Sequence, residues 1–142
     1  MIATWKPILW QQFGAAIDML ENALLACPEE LWNDRSRRPE YWYVVFHTLF
    51  FLDFYLSDSP EGFTPPAPFT LDELDPAGLL PERVYTGQRC GFERPDVTVS
   101  ELLLYSMRHV QHHAAQLNLM LRQTIDSAPT WVSKTKIKLG GD

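Results

Sequence analysis

Four histidines carry the chemistry legible in this chain: His109, His112 and His113 fall within one helical segment, and His47 stands alone in an earlier one. An α-helix stacks residues i and i+4 on the same face, so His109 and His113 can aim their imidazoles at a common point. His47, brought in by a second helix, would complete a set of three nitrogen donors. Three neutral imidazoles with one or more open positions suit a catalytic divalent ion such as zinc, because a closed structural site normally uses four protein ligands. His112 offers two other arrangements, pairing with His109 at i+3 or orienting the site from its edge. Taken alone, a histidine such as His47 on an inward helical face is more often a hydrogen-bonded core residue. The pair on the later helix is what favours the metal.

The elements that must position these residues follow from periodicity. The first helix is expected over residues 4–26, with Thr4 as N-cap, Pro7 in the first turn, and Ile8, Leu9, Phe13, Ala16, Ile17, Leu20 and Leu24 forming its buried face. Pro28 ends it, and the stretch to Arg38 reads as a connection holding Leu31 and Trp32 against the core. A second helix opens at Pro39 and runs to Leu56, with Tyr43, Val44, Phe50, Phe51 and Phe54 on the side of His47. Residues 60–81 are rich in proline and read as a long crossover, in which Thr70 and Glu73 have capping-box spacing. A third helix is expected between about residues 81 and 89, short or broken beside Gly87 and Gly91.

The last helix has the clearest start, because Thr98 and Glu101 have capping-box spacing directly before Leu102, Leu103 and Leu104. It reaches Thr124 or Ile125, with Leu102, Leu103, Val110, Leu117, Met120 and Leu121 on its apolar side. On that wheel His113 lies nearer the middle of the apolar face than His112, so His47, His109 and His113 are the favoured metal ligands. Gln116 and Tyr105 flank the same face and are candidates to hold the second nitrogen of a ligating imidazole. Boundary polarity explains them equally well.

Composition bounds the remaining possibilities. A chain of 142 residues, 46% hydrophobic and 13% aromatic, supports one substantial core and a single domain. We assign residues 1–126 to it and residues 127–142 to a C-terminal tail, a peripheral strand or mobile end carrying Lys134, Lys136 and Lys138. A net charge of −6 argues against general nucleic-acid binding. Arg35, Arg37 and Arg38 form the only dense basic cluster, and a solvated surface explains it better than an anion clamp. The longest nearly apolar stretch, residues 41–56, falls short of the roughly 20 residues that cross a bilayer, so no membrane partner is expected. No signal peptide is visible, which favours a cytoplasmic location. Cys27 and Cys90 lack CxxC spacing and read as ordinary thiols, although Cys90 precedes Gly91 in a loop.

A helix carrying His47 among aromatic residues, a long crossover, and a final helix reading His109-Val-Gln-His112-His113-Ala-Ala-Gln116-Leu117 resemble the DinB/YfiT-like superfamily of metal-dependent enzymes. His109, His113, Gln116 and Leu117 match that family's last-helix pattern in order, His47 matches its single second-helix histidine, and the likeness spans residues 1 to about 126. The resemblance implies an all-α fold, an antiparallel four-helix bundle of up-down-down-up topology. It also implies a frequent homodimer that binds zinc or nickel through three histidines at one end. Some relatives transfer a low-molecular-weight thiol such as bacillithiol, mycothiol or glutathione, or use one in an isomerisation. The weak third helix and the proline-rich crossover depart from the family and bear on the substrate pocket more than on the metal.

An open position on such an ion can acidify water to a pKa of about 7 or hold a thiol as thiolate. A small-molecule S-transferase is thus expected by resemblance. A metal-dependent hydrolase is the alternative, though no carboxylate stands out as its general base: Glu101 is explained by capping and Asp53 by an outward position. A non-catalytic metal- or small-ligand-binding dimer is the rival of another class.

Overall fold

The computed structural model describes residues 2–57, 63–70 and 98–140, with side chains from residue 5 onward. Four helices occur among these residues: α1 (Ile2–Ala26), α2 (Glu29–Trp32), α3 (Tyr41–Leu56) and α4 (Val99–Ile125). The described residues contain no strand. No described helix is long and apolar enough to cross a membrane. The third helix expected near residues 81–89, Glu73 of the expected Thr70–Glu73 capping box, and Cys90 lie outside the described residues.

Helix α1 begins two residues ahead of the expected Thr4 cap, so Pro7 sits inside the helix rather than in its first turn. The lost N–H removes one intrahelical bond at a solvent-exposed end, where little packing depends on it. The buried face of α1 is also rotated from the expected one: Phe13, Ala16 and Leu20 are inside, joined by Ala15, Met19 and Ala23, whereas Ile8 and Leu24 are exposed. Alanines on this face let α4 approach closely. Helix α2 is a single turn that the sequence did not announce, but its Leu31 is buried in the core and Trp32 packs against it, as expected of the connection.

The Tyr41 hydroxyl at the start of α3 donates to the Ala23 carbonyl near the end of α1 at 2.7 Å. Tyr55, near the end of α3, meets Tyr105 near the start of α4, while Arg37, just before α3, reaches Thr124 at the end of α4. Helices α3 and α4 are therefore antiparallel.

Val110, Ala114, Leu117 and Leu121 of α4 are fully buried between α1 and α3. Each such leucine contributes about 1.5–3 kcal/mol of burial. A second apolar cluster of Phe50, Phe51, Phe54, Tyr55 and Phe63, with Phe46 and Leu102 packed on it, continues the core toward the end of α3. Burial of Tyr41 pushes its phenol well above the ordinary tyrosine range, keeping it a neutral donor to Ala23.

The segment after α4 forms no strand over its described residues and lies against α1. Asp126 takes a left-handed conformation with φ 56°, its N–H donating to the Arg122 carbonyl, and ends the helix. The chain then returns along α1. The Gln12 amide donates to the Ser133 carbonyl at 3.1 Å, the Thr135 N–H to the Gln11 carbonyl at 3.0 Å and the Trp10 indole to the Ile137 carbonyl at 2.8 Å. Thr135 is buried against Gly14, where the missing side chain makes room for it. Each of these backbone groups has a partner on α1.

Candidate metal centre

The final helix holds its histidines in register because its start is firmly anchored. The Thr98 side chain accepts from the Glu101 N–H, and the Glu101 carboxylate accepts from the Thr98 N–H, completing the capping box read from the sequence. Hydrogen bonds from Thr98 hold the Glu101 carboxyl below its ordinary value, so this acid is committed to the cap. Asp53 is exposed on α3, as expected.

One turn of regular helix brings His113 Nε2 within 3.1 Å of His109 Nε2. His47, 4% exposed on the facing side of α3, places its Nε2 3.3 Å from the same His109 nitrogen. One ligand atom from each of the three lies within 4.8 Å of the others. Zinc–imidazole bonds of about 2.0–2.1 Å in a tetrahedral arrangement put neighbouring nitrogens about 3.3–3.4 Å apart, close to the two spacings at His109 Nε2. These three histidines could hold a metal ion. His112 is exposed, with its ring beside that of His113 and outside the cluster.

Gln116 supplies what a ligating imidazole needs. Its Oε1 accepts from His113 Nδ1 at 2.9 Å. A proton on Nδ1 leaves the lone pair on Nε2, the nitrogen that faces His109. Tyr105 acts differently from the expected hydrogen-bond partner. Its ring lies parallel to that of His109, 6° between planes and 6.3 Å between centroids, while its hydroxyl turns to Tyr55 at 3.4 Å.

Aromatic rings wall the cluster. Phe51 lies 4.8 Å from the His47 ring and 6.0 Å from that of His109, and Tyr55 meets His109 edge-on at 6.4 Å. Tyr43 packs on the other side of His47. Tyr55 was not singled out in the sequence, yet the signal was present: Phe51 and Tyr55 follow His47 at i+4 and i+8, which keeps all three on one helical face.

The basic cluster is engaged elsewhere. Arg35 and Arg38 pair with Glu40 at 2.8 and 3.1 Å, and Arg35 also lies over the Trp42 ring. The Trp42 indole and these two guanidiniums hold the Glu40 carboxyl below its ordinary range. The arginines thus read as a solvated, self-paired surface. Cys27 is a half-buried free thiol whose pKa is raised by burial, which suits packing rather than reactivity.

Fold and site together define a helical protein with a three-histidine cluster able to accept a metal ion. Comparison with known proteins returned no matching family model, no matching curated protein and no matching solved structure.

Proposed function

We propose that this chain is a divalent-metal-dependent enzyme of the DinB-like kind, with His47, His109 and His113 as its ligands and S-transferase-type chemistry on a small molecule. The convergence of three Nε2 atoms from two helices carries this reading. Zinc and nickel both suit an all-imidazole donor set. A bound divalent ion would supply Lewis acidity at an open position, enough to hold a low-molecular-weight thiol as thiolate at neutral pH.

The protein's own groups do the rest. His47 and the His109–His113 pair approach from antiparallel helices and fix the donor triangle. Gln116 sets the His113 tautomer. Phe51 and Tyr55, both buried, keep water from the inner side of the imidazoles. The hydrolase alternative has less support, because no Asp or Glu among the described residues joins the histidine cluster to serve as general base.

In this proposal the protein is an up-down-down-up four-helix bundle that acts as a cytoplasmic homodimer. The test is thiol conjugation by zinc- or nickel-loaded protein, using bacillithiol, mycothiol and glutathione against an activated aryl halide. Turnover that disappears in His109→Ala supports the enzyme. Metal binding without turnover for any of these thiols favours the non-catalytic metal-binding dimer.

A further inference from the structure

The charges of this chain are not spread evenly. Residues 1–17 and 127–142 hold all four lysines and one acid, Asp142, a balance of +3. The remaining residues hold eight arginines and 17 acids, a balance of −9. The fold joins the two basic stretches, because the tail lies along α1. As the tail advances from Ser133 through Thr135 to Ile137, its partners on α1 step back from Gln12 through Gln11 to Trp10. Lys6 lies one helical turn before Trp10 on the same face, so the tail carries Lys134, Lys136 and Lys138 toward it. All four lysines are exposed, and none pairs with an acid among the described residues.

The same strip is apolar as well as basic. Trp131, Ile137 and Leu139 of the tail are 69%, 61% and 56% exposed, and Trp5 and Ile8 of α1 are 43% and 49% exposed. Single exposed apolar side chains are ordinary on a protein surface. Here they are interleaved with the lysines, and Lys136, Ile137, Lys138 and Leu139 follow one another directly. A nucleic acid or polyphosphate rewards the lysines but offers nothing to Ile137 or Leu139. An anionic bilayer rewards both: its negative headgroups attract the ammonium groups, while tryptophan and aliphatic side chains enter the headgroup boundary. The negative balance elsewhere repels the rest of the molecule from such a surface, which selects this strip as the side that meets it.

We infer that the strip formed by the tail and the start of α1 docks this protein peripherally on an anionic lipid bilayer. The sequence argument against a membrane partner concerned crossing alone. Lying on a bilayer surface requires no run of roughly 20 apolar residues, only basic and apolar groups presented together.

Co-sedimentation of the full chain with lipid vesicles tests this. Vesicles containing about one third phosphatidylserine carry the protein down, pure phosphatidylcholine vesicles do not, and salt at about 1 M weakens the binding by shrinking the Debye length to about 3 Å. Each lysine near such a surface strengthens partition by about fivefold, so Lys134→Gln, Lys136→Gln and Lys138→Gln together lower it by roughly 100-fold. Ile137→Ser with Leu139→Ser lowers it by about fivefold or more and leaves retention on immobilised heparin unchanged. These side chains are exposed, and the Ile137 carbonyl that accepts from Trp10 is kept. Arg35→Gln, in the self-paired cluster before α3, leaves vesicle binding intact. Equal binding to both kinds of vesicle, or unchanged partition of the lysine variant, overturns the inference. Unchanged partition of the Ile137 and Leu139 variant makes the strip a general polyanion-binding face and overturns it too. Self-association of the wild type without vesicles, lost in the lysine variant, seats the acidic body of a second copy there and likewise overturns it.

Discussion

His47 and His109, 62 positions apart in the chain, face each other through their Nε2 atoms at 3.3 Å. Two ring nitrogens that close are held either by a proton between them or by a shared cation, and His113 Nε2 beside them at 3.1 Å makes a three-way meeting that one proton serves poorly.

On the metal reading proposed above, removal of any of the three should release the ion. In His47→Ala, His109→Ala and His113→Ala, metal content measured by elemental mass spectrometry on folded protein should fall from near one ion per chain to a small fraction. The exposed His112→Ala should keep most of it. Equal retention in all four variants would rule out the assignment.

Gln116 tests the finer geometry. Loss of a group that orients a ligating histidine typically costs 10- to 100-fold in metal affinity, and Gln116→Ala should fall in that range. Gln116→Glu keeps an acceptor for His113 Nδ1 and should lose much less. Competition against a chromogenic chelator measures both, and an unchanged constant in Gln116→Ala would show that the 2.9 Å contact does not orient the ligand.

Gly14 should tolerate no side chain. A Cβ there would lie 2.5 Å from Thr135 Cγ2 and 2.8 Å from its Cβ. Alanine in a helix gains about 1 kcal/mol over glycine, but overpacking a fitted site costs about 1–3 kcal/mol. Gly14→Ala should thus lower stability in urea denaturation, and adding Thr135→Gly should restore it. A stabilised single variant would mean that the tail leaves α1 in solution.

Acid should weaken the start of the last helix. The folded Glu101 carboxyl lies below its ordinary value of 4.5, so its capping contribution is complete above that value and is lost as pH falls through the lower folded one. Thr98→Ala removes the other half of the box at a cost of about 1 kcal/mol. Denaturation midpoints from pH 7 to pH 3 should show a shallower acid loss in Glu101→Gln than in wild type.

Much of this was written locally. The capping box, the end of α4 at Ile125, the inward stripe of Tyr43, Val44, Phe50, Phe51 and Phe54, and the i, i+4 pairing of His109 with His113 all depend on neighbours within two turns. A helix converts such short spacings directly into a shared face. The rest depends on partners distant in sequence, about which periodicity says nothing. The burial of Met19 in place of Ile8, the run of the tail into the groove at Gly14, and the turn of the Tyr105 hydroxyl toward Tyr55 were decided by which surfaces meet. The same holds at the site. The sequence by itself determined that His109 and His113 share a face, because helical geometry allows little else. Only the tertiary structure, through the antiparallel packing of α3 on α4, decided that His47 would arrive at their level and that His112 would remain outside.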